Sequence, residues 1–334
     1  MALISKVGDI QQTHAYPLSL APMMGYTDQH MRYMFRLLCP RLRLYSEMVT
    51  SATLIHSSHL RQLKYHSIER PIALQIGGSD PEELIFACRL ATAAGFSEIN
   101  LNVGCPSAKV QHGAFGACLM RTPEKVADAV NAMNEATRLP VTVKSRIGVD
   151  GYDHYDFLAE FIDRVKQAGC QTFIIHARKA CLQGLSPEQN RHIPPLRYDY
   201  VYRVKKDFPE LSIIINGGID SEEKAVDQMN HVDGIMIGRA AISNPFLLPR
   251  IEKALGLRSE PIPSADTIID RMHPYIQEQM AQGMHPRHIL RPLSGLLKNK
   301  PGSRRWRQIL AHPPSHPKEV YTVIENLIAF TRSI

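Results

Sequence analysis

Eight short runs rich in Ile, Val, Leu, Tyr and Phe recur along this 334-residue chain, and they restrict its fold more than any other feature. They are LSLAP from Leu18, RLYSEM from Arg43, PIALQI from Pro71, SEINLNV from Ser97, PVTVK from Pro140, QTFIIHA from Gln171, LSIIIN from Leu211 and DGIMIG from Asp233. Their starts lie 22 to 43 residues apart, which leaves room for a strand, a loop and a helix in each step. Helix-start chemistry fills three of the gaps. Asp80-Pro81-Glu82-Glu83, Thr122-Pro123-Glu124 and Asp220-Ser221-Glu222-Glu223 each pair an N-cap oxygen with first-turn carboxylates, and Gly95 is placed to stop the first helix. Strands alternating with helices predict a parallel sheet, and eight such units predict an α/β fold of the (β/α)8 TIM-barrel type. An open doubly wound sheet shares the alternation. The polar residues favour the barrel. Pro22-Met23, Glu47, Gln75, Asn102 to Cys105, Lys144, His176, Asn216 and Gly238-Arg239 end nearly every run, and a barrel converges such ends on one mouth.

After Pro249 the pattern changes. The expected organisation is a catalytic barrel over residues 1–250, a linker over 251–263 and a small all-α helical bundle domain over 264–334. Four helical segments are expected near 264–283, 286–299, 303–312 and 317–332, with a kink at Pro274. From Gln279 to Lys318 there is no acidic residue, while Arg287, Arg291, Lys298, Lys300, Arg304, Arg305, Arg307 and Lys318 supply +8, so the chain's net +7 is concentrated there. A solvated helix face accounts for many charge clusters. A single-sign stretch of this length repels itself without a polyanion nearby, which points to nucleic acid. Six scattered cysteines without a CxxC pair argue against a disulfide scaffold or a zinc ribbon, and no metal site is expected. The polar opening stretch and the absence of an apolar run near the roughly 18 residues of a membrane helix predict a cytoplasmic protein with no membrane partner.

Asn216-Gly217-Gly218 and Gly238-Arg239 follow the last two strands, where a barrel builds its phosphate site from close-approaching backbone N–H groups and a guanidinium fork. With Lys144, His176 and Gln75 on neighbouring strands, the set fits flavin mononucleotide (FMN): phosphate on the two loops, ring across the mouth, a cation at its polar edge. Lys144 is also compatible with a Schiff-base lysine, and His176 with a packed histidine. Cys105 lies between Gly104 and Pro106 just past the fourth strand, a loop that would aim its thiol into the mouth. An ordinary thiol, with a pKa of about 8.5, is mostly protonated at neutral pH and can serve as a general acid.

Leu20-Ala21-Pro22-Met23, Tyr26-Thr27-Asp28, Gln75-Ile76-Gly77-Gly78, the Asn100–Ser107 loop, Gly116-Ala117-Cys118-Leu119-Met120, Lys144-Ser145-Arg146-Ile147-Gly148, His176-Ala177-Arg178-Lys179-Ala180 and Asn216-Gly217-Gly218-Ile219 together resemble a tRNA-dihydrouridine synthase. The segment from Gly184-Leu185-Ser186-Pro187 through Asn190-Arg191 to Ile193-Pro194-Pro195-Leu196 resembles the A subgroup. The resemblance implies an FMN barrel with a helical tRNA-binding domain that reduces C5=C6 of uridine with NADPH, in the D-loop at positions 20 and 20a of tRNA. By the same resemblance, Pro22, Met23, Met24, Gln75, Lys144, His176, Asn216, Gly217, Gly218, Gly238 and Arg239 would hold FMN, and Cys105 would be the proton donor. Two departures fall at the expected substrate mouth. Many relatives carry an acidic or amide residue followed by Trp at Gly25-Tyr26, and the subgroup commonly has Trp at Cys181.

The reaction so implied passes a hydride from N5 of reduced FMN to C6 of uracil while Cys105 protonates C5 from the opposite face. Reaching a base inside folded tRNA requires extruding it from its stack. Asn102 is placed to bond the uracil, and Arg178, Lys179, Arg191, Arg304 and Arg307 are the expected RNA cations. Trp306, the sole tryptophan, suits either base stacking or a helix core. A monomer is the default. Two other readings use the same residues: an FMN dehydrogenase of a free pyrimidine, similar to dihydroorotate dehydrogenases, and a non-catalytic tRNA-binding module.

Overall fold

The computed structural model describes residues 16–56, 61–314 and 316–332. The strands are β1 (Leu18–Leu20), β2 (Leu44–Tyr45), β3 (Val49–Thr50), β4 (Ile72–Gly77), β5 (Glu98–Val103), β6 (Val141–Arg146), β7 (Thr172–His176), β8 (Ser212–Asn216) and β9 (Gly234–Ile237). Each of the eight runs supplies one, and β3 is an addition that follows directly after the second run. Both β2 and β3 pair with β4, Leu44 opposite Ile72 and Val49 opposite Ile76, with Ser46-Glu47-Met48 between them. All pairings are parallel, and β1 closes the sheet by pairing with β9 on one side and bridging to Arg43, beside β2, on the other. The Leu20 N–H donates to the Arg43 carbonyl at 2.9 Å. An eight-stave closed barrel is the result, so the open-sheet alternative falls.

Around it run α1 (Gln29–Leu38), α2 (Pro81–Ala93), α3 (Pro123–Ala136), α4 (Tyr155–Gln167), α5 (Tyr198–Asp207), α6 (Glu222–Met229) and α7 (Leu247–Ala254). Two of the expected caps form. Asp80 accepts from the Glu83 N–H and Ser221 from the Lys224 N–H. Thr122 does not cap α3; its hydroxyl turns back to donate to the Leu119 carbonyl instead. Because strand side chains alternate, Ile99, Leu101, Val143, Phe173, Ile175, Ile213 and Ile215 face the helices and join the main core. The lumen holds a separate cluster of Ala21, Tyr45, Ala73, Ile174, Ile214 and Met236, against which Met23 packs.

The expected boundary at residue 250 falls inside α7, which buries Leu247, Leu248 and Ile251 and runs to Ala254. The connection that follows is pinned by Arg258, which bonds Glu252 at 3.0 Å and the Leu38 carbonyl at 2.9 Å. Next come α8 (Ala265–Ala281), continuous through Pro274, then α9 (Pro286–Leu290), α10 (Ser303–Ala311) and α11 (Pro317–Arg332). The single helix expected over 286–299 stops after α9 and tightens into a 3-10 segment, Arg291–Gly295. Pro292 explains the change, since it brings no N–H and its ring clashes with the preceding turn. Trp306 is 1% exposed and donates its indole N–H to the Leu293 carbonyl at 2.8 Å, which makes it core rather than a stacking surface. The helical region docks on α1: the Tyr33 and Tyr275 rings stack with centroids 3.8 Å apart, and His30 Nδ1 lies 2.7 Å from the Tyr275 hydroxyl. Among the described residues no helix is long and apolar enough to cross a membrane.

Candidate active site

Every polar strand end named above opens on one mouth, and beneath it the lumen carries a ladder of buried hydrogen bonds. At the closed end Arg43 pairs with Glu98 at 2.5 Å, and Tyr45 and Thr142 donate their hydroxyls to the same carboxylate at 3.0 and 2.8 Å. Burial and then Glu98 raise the Tyr45 phenol well above its ordinary pKa, keeping it a donor. Asn100 donates to Thr142, Gln75 to Asn100 and Asn102 to Gln75, at 2.8, 2.8 and 2.9 Å. The Asn102 carbonyl then accepts the main-chain N–H groups of Gly104 and Cys105, at 3.1 and 3.0 Å. Gln75 and Asn102, expected to touch cofactor and substrate, are thus neighbours on adjacent strands, and Asn102, the one nearer the mouth, orients the thiol-bearing loop.

Cys105 is half-buried, and its thiol donates to the Ser107 hydroxyl at 3.5 Å. Arg146 secures its loop from the other side, donating to the carbonyls of Gly104 at 2.9 Å, Lys179 at 2.9 Å and Asn190 at 3.0 Å. Burial is the main force that lowers the Arg146 guanidinium to about 10, and Arg191 and Arg178 push the same way. Asn190 is fully buried and bonds the main chain of Cys181 in both directions, so that these two side chains shape the whole 178–196 segment. Neither Arg146 nor Asn190 stood out as a site residue in the sequence, nor did Glu98, Asn100 and Thr142. Their signal was the alternation in Glu98-x-Asn100-x-Asn102 and Thr142-x-Lys144-x-Arg146, which places a polar row inside an otherwise apolar barrel.

Cations crowd the opposite side of the mouth. Lys144 donates to the Asn216 side-chain oxygen Oδ1 at 3.2 Å, and the Asn216 side-chain amide in turn donates to the Met236 main-chain carbonyl at 2.7 Å. Burial, followed by the Arg146 charge, lowers the Lys144 ammonium to about 7, with Cys105 acting the other way. His176 is driven well below its ordinary value by burial and by Arg146, Lys144, Arg178 and Arg239, so it is neutral, and its buried Nδ1 has no hydrogen-bond partner. Gly217 and Gly218 have φ of +111° and +72°, a region closed to most side chains, and a Cβ on Gly217 would lie 3.2 Å from the His176 ring. Tyr198 donates to the Gly217 carbonyl at 2.7 Å and holds the turn. A Cβ on Gly238 would meet Met23 Sδ at 3.3 Å, which brings the first and last strand ends together. Arg239 bonds the Arg191 carbonyl at 3.2 Å and contacts the His192 ring, while Arg178 bonds the Pro194 carbonyl. The Nε atoms of Arg178 and Arg191 are buried without partners. Burial, then repulsion from Arg191 and Arg178, lowers the Arg239 guanidinium, with the Glu188 carboxylate acting the other way.

The remaining expected residues lie further out. Met24 is 62% exposed on the loop after β1. Lys179 turns to Asp153, at 2.6 Å, and the Asp150 carbonyl. Arg304 and Arg307 are exposed on α10, and Arg307 lines a hollow of about 370 Å³ with Arg287, His288, Arg291 and Ser294. Arg291 links that hollow to the mouth by bonding Asp28 at 2.6 Å and the Gly25 carbonyl.

A family model described as dihydrouridine synthase matches residues 19–334. The chain belongs to the dihydrouridine synthase family. Proteins named tRNA-dihydrouridine(20/20a) synthase are similar to it along most of its length. The one from Vibrio vulnificus is 46% identical over 95% of this chain and 97% of its own, that from Shewanella oneidensis 49% over 88% and 87%, and that from Salmonella typhimurium 49% over 89% and 90%. Dihydrouridine is uridine saturated at C5–C6, so this synthase is an oxidoreductase. Arg146→Met should strand three carbonyls and loosen the synthase's 178–196 segment. Limited proteolysis within that segment is expected to accelerate about tenfold, for a loss of about 1–3 kcal/mol, and an unchanged digestion pattern would contradict the role given to Arg146.

Proposed function

We propose that this synthase binds FMN and uses NADPH to reduce C5=C6 of uridine in the D-loop of tRNA, at positions 20 and 20a. The observation that carries the reading is the mouth itself, where partnerless buried nitrogens and converging cations surround two glycine turns opposite a half-buried thiol. These residues fit a flavin nucleotide. Asn216, Gly217, Gly218, Gly238 and Arg239 would hold its phosphate, and Lys144 and His176 its polar edge. Gln75 would donate to the ring, and Pro22, Met23 and Met24 would pack against it. When bound, FMN supplies the hydride that C6 of uracil receives, and NADPH replaces it.

The chain's own residues supply the rest. Cys105 Sγ gives its proton to C5 from a loop that Asn102 and Arg146 hold in place. Asn102 keeps one amide N–H beyond its bond to Gln75, free for a uracil carbonyl. Arg178, Lys179, Arg191, Arg304 and Arg307 would meet phosphates around the extruded base, the last two from the helical domain over 264–334. In this reading the barrel through α7 catalyses, the stretch between α7 and α8 connects, and the protein works in the cytoplasm as a monomer, since one chain supplies both surfaces. A free-pyrimidine dehydrogenase would leave the cationic hollow beside Arg307 without an anion.

Cys105→Ala should keep FMN and oxidise NADPH while dihydrouridine formation in tRNA falls about 10²–10⁴-fold; product at the parent rate would remove the thiol from the mechanism. Titrating the apoprotein with FMN between pH 7 and 9 tests Lys144. A bound anion raises its lowered pKa, so binding takes up a proton and affinity weakens with rising pH, by no more than about tenfold per pH unit. Lys144→Met should bind more weakly at pH 7 and lose that slope, whereas an equal slope in both proteins would assign the proton elsewhere.

A further inference from the structure

Primary amides can turn half a circle, exchanging N–H for C=O with little change of shape, so packing alone does not orient Gln75, Asn100 or Asn102. The ends of the lumen ladder do. At the closed end the Glu98 carboxylate, paired with Arg43, only accepts, and it takes the Thr142 hydroxyl proton. Thr142 must therefore accept from Asn100, whose carbonyl accepts from Gln75, whose carbonyl accepts from Asn102. At the mouth the N–H groups of Gly104 and Cys105 only donate, and they claim the Asn102 carbonyl. Acceptor-only and donor-only ends demand the same sense along the row, and reversing any one amide would set like groups against each other at both of its junctions.

We propose that Glu98, acting through Thr142 and Asn100, is a positioning residue that fixes Gln75 and Asn102 so that both present N–H, and neither presents C=O, to the ring-binding face of the barrel. Within the ladder the Asn102 carbonyl accepts two N–H groups and the Gln75 carbonyl accepts from Asn102, while each amide keeps a second N–H to offer. The ligand edge that matches two such donors is a pair of ring carbonyls, as the flavin and uracil rings carry. The inference rests on the FMN reading above, and it adds that the polarity of the site is set from the opposite end of the barrel.

The test is a fluorescence titration of apoprotein with FMN. Thr142→Val keeps the shape and removes the hydroxyl, and Thr142→Ser keeps the hydroxyl. Binding is expected to weaken about tenfold or more in the valine variant and to stay within about twofold in the serine variant. Parent-like binding by Thr142→Val would overturn the inference alone, as would equal weakening in both variants, which would make bulk rather than the hydroxyl the cause. Failure of the parent to bind FMN would overturn it together with the reading beneath it. Amide proton exchange by ¹⁵N NMR on the unaltered apoprotein needs no variant to fold. One side-chain N–H each of Gln75 and Asn102 should exchange at least about tenfold more slowly than its twin, and equal rates would contradict the fixed orientation.

Discussion

A closed parallel barrel forces every second residue of every strand into one narrow lumen, and this chain fills the closed end of that lumen with an ion pair. Arg43 and Glu98, each nearly inaccessible to solvent, would be costly there alone. Glu98 also accepts from Tyr45 and Thr142, so the carboxylate leaves the water fully bonded, and removing one partner would cost about 3–5 kcal/mol. The consequence runs upward. Because the pair is an acceptor anchored at the bottom, the amides stacked above it are ordered, and the last of them holds the backbone of Cys105. The lumen is a scaffold for the thiol as much as a core.

Charge is sorted along the same axis. The lumen's acid lies at the closed end, while Lys144, Arg146, Arg178, Arg191 and Arg239 gather around the open one, where burial and mutual repulsion push several of them below their ordinary pKa. Such an arrangement is unfavourable to folding by itself, and in the proposed reading the stability given up is recovered as affinity for an anionic ligand. The surface continues outward through Arg291, whose bond to Asp28 ties the cationic helices to the loop after β1. One field therefore spans barrel mouth and helical region, as a ligand with several phosphates requires.

Much of this was legible in the residues. The eight strand runs, the caps at Asp80 and Ser221 and the strand-end set of Gln75, Lys144, His176 and Asn216 follow from local pattern, and pattern survives folding. What escaped depends on contacts between distant positions. Arg146 meets Asn190 and Arg291 meets Asp28 across long loops, and Lys179 finds Asp153 rather than open solvent. Thr122 has the composition of a cap yet turns to Leu119, and the helix expected over 286–299 ends early because Pro292 overrides a favourable apolar spacing. The Glu98 ladder is a middle case. Its alternation is written in the strands, but its meaning appears only when β4, β5 and β6 are side by side.

The most direct test of the account is anaerobic. The FMN of the loaded protein is reduced with NADPH, the excess removed, and unmodified tRNA, free uridine or orotate added while flavin reoxidation is followed in the visible spectrum. The account predicts rapid reoxidation by tRNA and none by the free pyrimidines over the same interval. Reoxidation by uridine or orotate at a rate equal to that with tRNA would contradict it.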